Sequence, residues 1–452
     1  MFKQIAVIGA VLTSTATLAA DLPSGKAAPA SQYVKICDAY GSGFFYIPGT
    51  DTCLRVGGLV RYDTFYAPAK DVYKVTSGAR AIATPANTEN TYGQEIRGRV
   101  DLDARTATEL GTLRTVVSTR LGRSSGILAE TAAPSSATQS ATTTSPTLEN
   151  AYVQFAGFTA GLARDNFQFM PPNIFSGEQH WASFAIGAKQ FAYTQILGGG
   201  LSATVAVQDP SDTAVAPVGI TALSTVYSPN KLPQYNGRID YDQSWGGASV
   251  MGAYRQLSAV DPTGVAYDKS ANVWALGSGL KVNLPFLATG DVIYFTGAYA
   301  NGMTEYTTAW GSNKLGAGPR RANSGWVINQ PSIVYFNDGI NQVKSWSVGT
   351  MMTHYWAPTW RSNFFGSYGS IKAPDQSAAL VWDGKSGFGN AKMWSAGTNL
   401  IWSPAKDLDI GLETAYQNMK QDVRYTLASS TNVVKQETDN NWTARFRVER
   451  KF

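Results

Sequence analysis

Gln94-Glu-Ile-Arg-Gly-Arg-Val-Asp-Leu-Asp-Ala-Arg105 carries the decisive pattern of this 452-residue chain. Glu95, Arg97, Arg99, Asp101, Asp103 and Arg105 occupy every odd position, and Gln94, Ile96, Gly98, Val100, Leu102 and Ala104 every even one. A helix would spread these charges around its circumference, whereas a strand puts them all on one face. Only 15% of the chain is charged, so six charges on one parity arise by chance in about 10⁻⁵ of windows. The segment reads as a strand with one charged and one uncharged face.

The same rhythm recurs along the chain. In 442–452, Trp442, Ala444, Phe446, Val448, Arg450 and Phe452 alternate with Thr443, Arg445, Arg447, Glu449 and Lys451. In 408–417, Leu408, Ile410, Leu412, Thr414 and Tyr416 alternate with Asp409, Gly411, Glu413, Ala415 and Gln417. Segments 235–242 and 54–66 repeat it, the latter setting Val56, Val60, Tyr62 and Tyr66 against Arg55, Arg61 and Asp63. The connections alternate in length. Short ones fall at 107–111, 158–161, 197–200, 244–247, 283–290, 357–359 and 403–407. Long ones, rich in Ser, Thr, Gly, Pro and Asn, run over 68–90, 122–147, 170–188, 209–233, 257–271, 301–330, 369–391 and 418–440. Ile333–Phe336 also reads as β, but it is assigned to the sixth long loop, because an odd strand count would leave the chain ends on opposite sides of the sheet. Sixteen strands remain.

Composition narrows the class. Hydrophobic residues make up 44%, yet mean hydropathy is −0.16, too polar for a bundle of membrane helices. After residue 20 no run reaches the ~18 apolar residues a spanning helix needs. A charge-rich disordered chain is excluded too, as is a nucleic-acid binder, since the bases are interleaved with acids and the net charge is only +5.

Residues 1–19 read as a signal peptide, with Lys3, an apolar core from Ile5 to Leu18 and small residues Thr17 and Ala19 at the cleavage site. Cleavage after Ala20 is the alternative, and a membrane anchor is the competing reading of the segment. Export places the chain where disulfides persist. Cys37 and Cys53, with Gly41, Gly43, Pro48 and Gly49 between them, read as a disulfide closing a short loop within an N-terminal periplasmic segment, 20–53; two buried free thiols are the alternative. Metal binding is not expected, because the histidines are only His180 and His354 and there is no Cys-x-x-Cys.

A soluble β-sandwich would also show alternation. The strands here are longer: about 11 residues, tilted by ~45°, rise about the ~25 Å of an outer-membrane apolar band. The charged face mixes both signs, as a wet interior would. Tyr62, Tyr66, Trp274, Trp346, Trp360 and Trp442 cluster near strand ends, where an interfacial girdle sits. A sheet in hydrocarbon must close to pair its backbone. The expected fold is therefore all-β, a transmembrane 16-stranded antiparallel β-barrel over 54–452, with short periplasmic turns and long external loops. Sixteen strands are wide enough for an aqueous channel.

Tyr33-Val-Lys-Ile-Cys-Asp-Ala-Tyr-Gly-Ser-Gly-Phe-Phe-Tyr-Ile-Pro-Gly-Thr-Asp-Thr-Cys-Leu-Arg-Val-Gly-Gly-Leu-Val-Arg61 resembles the N-terminal signature of the alphaproteobacterial porin family. Leu148-Glu-Asn-Ala-Tyr-Val-Gln-Phe-Ala-Gly-Phe158 resembles that family's fourth strand, and the aromatic end residue Phe452 is similar to the one used in outer-membrane barrel assembly. The resemblance implies a homotrimeric general diffusion porin of the Gram-negative outer membrane, without cofactor, whose third loop folds into the lumen. Cys37 and Cys53 fit the family's N-terminal pair.

Such a channel selects by the width and field of its constriction. The expected basic wall is Arg55, Arg61, Arg97, Arg99, Arg105, Arg114, Arg120, Arg445 and Arg447, with Asp63, Glu95, Asp101, Asp103 and Glu449 holding some of them in place. The third long loop, from Met170 to Ala188, is expected to fold inward and face this wall with Glu178. Expected partners are outer-membrane lipid, further copies of the chain, and small hydrophilic solutes and ions; no nucleic acid. The competing functions are a substrate-specific channel for sugars or anions, a barrel enzyme using His354, and a secreted soluble β-protein with a binding role.

Overall fold

The computed structural model describes residues 35–68, 72–76, 80–84, 91–126, 128, 142–171, 173–175, 187–210, 218–219, 231–259, 269–307, 333–336, 339–372, 381–382, 385–386, 390–426 and 432–452. Sixteen strands form the wall. The first eight are β1 (Cys53–Tyr66), β2 (Tyr92–Thr108), β3 (Gly111–Gly126), β4 (Thr142–Phe155), β5 (Phe158–Ala163), β6 (Ala188–Gly198), β7 (Leu201–Gln208) and β8 (Gln234–Gln243). The rest are β9 (Gly246–Ala259), β10 (Lys269–Asn283), β11 (Val292–Asn301), β12 (Lys344–Ala357), β13 (Trp360–Lys372), β14 (Ala391–Ala405), β15 (Leu408–Thr426) and β16 (Asn432–Lys451). Each pairs antiparallel with its neighbour in sequence, and β16 pairs back onto β1 through Leu59↔Lys451 to Tyr66↔Ala444, so the sheet closes. No helix among the described residues is long and apolar enough to cross a membrane; the crossing falls to the strands.

The two-residue rhythm becomes the two surfaces of the barrel. Ile96, Val100 and Leu102 are exposed on the outside, while Arg97, Asp101 and Asp103 of the same strand take the other side. The outward aromatics form a belt near the long-loop ends. Trp274 lies on Tyr299 with ring centres 5.6 Å apart, Trp346 on Tyr368 at 5.4 Å, Trp394 on Tyr416 at 5.1 Å and Tyr416 on Trp442 at 4.7 Å. At the short-turn end Trp360 stacks on Trp402 at 5.8 Å. Amphipathic rings at both rims are what two membrane interfaces select.

Cys37 and Cys53 are joined by a disulfide. The loop it closes folds over Phe44 and lays Phe45–Tyr46 along the start of β1. Ile333–Phe336 stays out of the wall and pairs with Gly339–Gln342 and with Val218–Gly219.

Several boundaries differ from the sequence reading. The turn expected at 158–161 lies at Ala156 and Gly157, with φ of 47° and 85°, and Phe158 already opens β5. Both turn residues take positive φ, as a two-residue hairpin requires. The expected loop 418–440 is largely strand, since β15 and β16 remain paired from Leu408↔Arg450 to Thr426↔Asn432. Beyond the apolar band neither face of a hairpin is constrained, so the ladder continues without the alternation that would reveal it. The third loop leaves the wall after Ala163, earlier than the expected Met170.

Candidate channel lining and inward segment

Arg55 and Arg61 on β1, Arg97, Arg99 and Arg105 on β2, Arg114 and Arg120 on β3, and Arg445 and Arg447 on β16 all share the parity opposite the apolar outer face. The ladder brings β16, β1, β2 and β3 side by side, so these side chains form one wall. Acids are threaded among them. Arg61 Nε donates to Glu449 at 2.6 Å. Arg97 pairs with Glu95 at 2.9 Å and Arg99 with Asp101 at 2.9 Å. Glu149 on β4 lies 3.6 Å from Arg99 and 3.4 Å from Arg120. Arg447 donates through Nε to Asp63 Oδ1 at 2.6 Å and through Nη2 to Oδ2 at 3.0 Å, and Arg445 lies 3.9 Å from the same buried carboxylate. Asp103 takes Arg105 at 2.8 Å and Arg114 at 3.0 Å. The arginines and carboxylates of this wall form a lattice of ion pairs. Like charges this close can be packed only with counter-charges between them. Glu149 belongs to this lattice, and Glu413 stands opposite Arg445 in the strand register; the sequence reading did not single out either as a lining acid.

The segment from Arg164 to Phe175 reaches from β5 to the opposite wall. Near its root, Arg238 on β8 donates to the carbonyls of Asn166 at 3.2 Å and Gln168 at 2.9 Å. Phe167 is buried among Met251, Val273, Ala275, Ala300, Met303 and Tyr306. The ring of Phe169 lies against Gly279, where a β-carbon would stand 2.3 Å from it. The Asp165 carboxyl is buried. It accepts from the Phe167 amide at 2.7 Å, from the Tyr306 hydroxyl at 3.1 Å and from Asn236 at 3.4 Å. Burial pushes its pKa up to about 6 despite these donors.

At the far end Met170 packs with Met351, Phe365 and Ala415. Asn363 and Asn399 donate to the Asn173 carbonyl at 3.3 and 3.4 Å. The Phe175 amide donates to Glu413 at 2.7 Å, and its carbonyl accepts from Arg445 at 2.9 Å and Arg447 at 3.3 Å. Its ring sits under Arg447 at 4.5 Å and over Gly411, where a β-carbon would stand 2.6 Å from it. Glycines on the inward parity of β10 and β15 thus make seats for the rings of a crossing segment. Gly411 was visible in the sequence on the inward parity, and its meaning was not. Glu178 lies outside the described residues.

His354, the strand histidine considered for catalysis, pairs through Nδ1 with Asp291 at 2.5 Å, and its ring meets the edge of Trp356. Asp291 also accepts from the Tyr355 amide at 2.8 Å. The histidine is tied into the turn between β10 and β11.

The sequence pattern of the Porin subfamily matches residues 24–445. The chain belongs to the Porin subfamily. Porin Omp2b of Brucella abortus (strain 2308) is 28% identical over 299 residues, which are 65% of this chain and 72% of that protein. Porin Omp2b of Brucella melitensis biotype 1 shows the same identity and coverage. Among solved structures, the outer membrane channel DcaP of Acinetobacter baumannii superposes with a TM-score of 0.57 at 16% identity, covering 90% of this chain and 99% of that one; what the two share is the fold. This porin is a multi-pass β-barrel of the outer membrane and a passive channel rather than an enzyme.

Proposed function

We propose that this porin is a general diffusion channel whose third loop, entering as Arg164–Phe175, narrows the lumen, and that ions and small hydrophilic solutes pass between that loop and the arginine–carboxylate wall. The observation that carries this reading is the grip of Arg445 and Arg447 on the Phe175 carbonyl, far across the barrel from the root of the loop. Paired charges on the wall order water and disfavour apolar solutes, and the low-dielectric rim strengthens their field. A substrate-specific channel would present a run of arginines with spare donors along the path, and most of the arginines here are bound to carboxylates. By its resemblance to the family the chain acts as a homotrimer, with residues 1–19 removed on export and 20–53 on the periplasmic side.

The test is planar-bilayer recording from purified protein. Arg445→Ala with Arg447→Ala is expected to free the loop tip and raise single-channel conductance, while Arg97→Ala with Arg99→Ala shifts the reversal potential in a KCl gradient. Unchanged conductance in the first pair would remove the constriction reading, and unchanged selectivity in the second would remove these two arginines from the ion path. Conductance steps in threes are the expected sign of the trimer.

A further inference from the structure

One part of the wall breaks the pairing rule. Elsewhere each arginine named above has a carboxylate nearby in roughly equal number. At the short-turn end Arg55, Arg105 and Arg114 converge on Asp103 alone among the described residues, at 3.6, 2.8 and 3.0 Å. Both oxygens of Asp103 are already filled. Oδ1 accepts from Nε of Arg105 and of Arg114, each at 3.0 Å, and Oδ2 accepts from their Nη2 atoms at 2.8 and 3.0 Å. Arg55 is left at ion-pair distance, with no hydrogen bond among the described residues, and its side chain is 50% exposed.

The aromatic residues of the disulfide-closed loop hold this cluster. The guanidinium of Arg55 lies 5.2 Å from the centre of the Phe44 ring and that of Arg105 lies 4.8 Å from it and 5.7 Å from the ring of Tyr40, which neighbours Phe44. Stacking on a ring face fixes the plane of a guanidinium and leaves its edge donors available. Phe44 is itself held against the buried disulfide. The result is a rigid, water-accessible fork of donors with two positive charges in excess of its carboxylate.

We propose that this cluster is an oxyanion-binding station at the periplasmic mouth of the channel, where Arg55, supported by Arg105, takes a phosphate or carboxylate group of a passing solute. Planar forked donors match the two oxygens of such a group. The site is built on strand ends and a disulfide-closed loop, so it exists whether or not the loop tip at Phe175 narrows the pore.

The test uses the purified full-length porin in planar bilayers, with inorganic phosphate added to one chamber at a time at constant ionic strength. Phosphate reaching the short-turn mouth is expected to reduce the current saturably. Arg55→Gln is expected to raise the half-blocking concentration at least tenfold, Arg55→Lys to fall between, and Phe44→Leu to raise it several-fold. Acetate in place of phosphate reads whether a carboxylate suffices. Arg361→Gln is the control for mere loss of positive charge, because Arg361 is satisfied by Asp409 at 2.6 Å. Block that is absent, that survives Arg55→Gln, or that weakens equally in Arg361→Gln overturns the proposal. Arg445→Ala with Arg447→Ala, which frees the tip, should raise conductance and leave the phosphate effect in place, so the two readings fail separately.

Discussion

The root and the tip of the inward segment are both gripped at the backbone by wall arginines, Arg238 at the root and Arg445 and Arg447 at the tip, and they differ in what is added to that grip. At the root the segment supplies the chemistry: the carboxyl of Asp165 and the ring of Phe167 enter a pocket of mostly uncharged wall residues around Tyr306 and Asn236. At the tip the wall supplies it, through Arg445, Arg447 and Glu413, and the segment offers mainly its own backbone at Phe175. A root whose own side chains fill a pocket, beside the Arg238 grip on its backbone, is specified in part by the segment's own sequence. A tip held by its backbone tolerates change in the segment and depends on the wall.

The largest effect should therefore come from the wall at the tip. Arg445→Ala with Arg447→Ala strands the buried Asp63 carboxylate and releases the Phe175 carbonyl at once. Losing one partner of a buried pair costs about 3–5 kcal/mol, and a matching fall in the unfolding midpoint in detergent, seen by heat-modified gel mobility, checks it. Next comes Phe167→Ala at the root, with a loss of about 3–4 kcal/mol for an aromatic removed from a filled pocket; the same assay measures it, and a loss under ~1 kcal/mol would show that the root is not held by that ring.

The third prediction concerns pH and affects the root alone. The pKa of Asp165 is raised in the fold, to about 6 from 3.8. Its bound proton therefore adds stability that is fully present below pH 3.8 and lost as pH rises through about 6, by ~3 kcal/mol in all. Hydrogen exchange of the Phe167 amide should quicken between pH 4 and pH 7 beyond the intrinsic pH effect, and Asp165→Asn should abolish that excess. The smallest effect is expected at the tip's own side chain. Phe175→Leu keeps the carbonyl grip and loses only the ring–guanidinium contact, about 1 kcal/mol, with conductance nearly unchanged. A large conductance change there would erase the contrast between the two ends.

The same contrast explains what could be read from the sequence. The barrel was legible because lipid outside and water inside force a strict two-residue period, as in Glu95 to Arg105. The turn after Phe155 was misplaced because Gly161, inside β5, serves close packing against Ala151, not a turn. The long β15–β16 hairpin was hidden because its outer half is free of that period. The shared parity of the arginines on β16, β1, β2 and β3 could be read from the sequence, yet their pairing could not, since Glu149 meets Arg99 and Arg120 only through strand register. The tip was illegible for a deeper reason: a backbone carbonyl has no letter, and Gly411 announces only that something comes close.

The seam between β1 and β16 carries one more consequence. Arg61 and Glu449, bonded across it, are 388 residues apart. Contacts so distant in the chain cannot form early, since the entropy of bringing such ends together is unpaid until the intervening strands are laid down. The ring therefore fastens last where its earliest and latest strands meet. Until that moment an unpaired strand edge stands open at each side, and whatever escorts the chain to the membrane must keep those two edges from finding other partners.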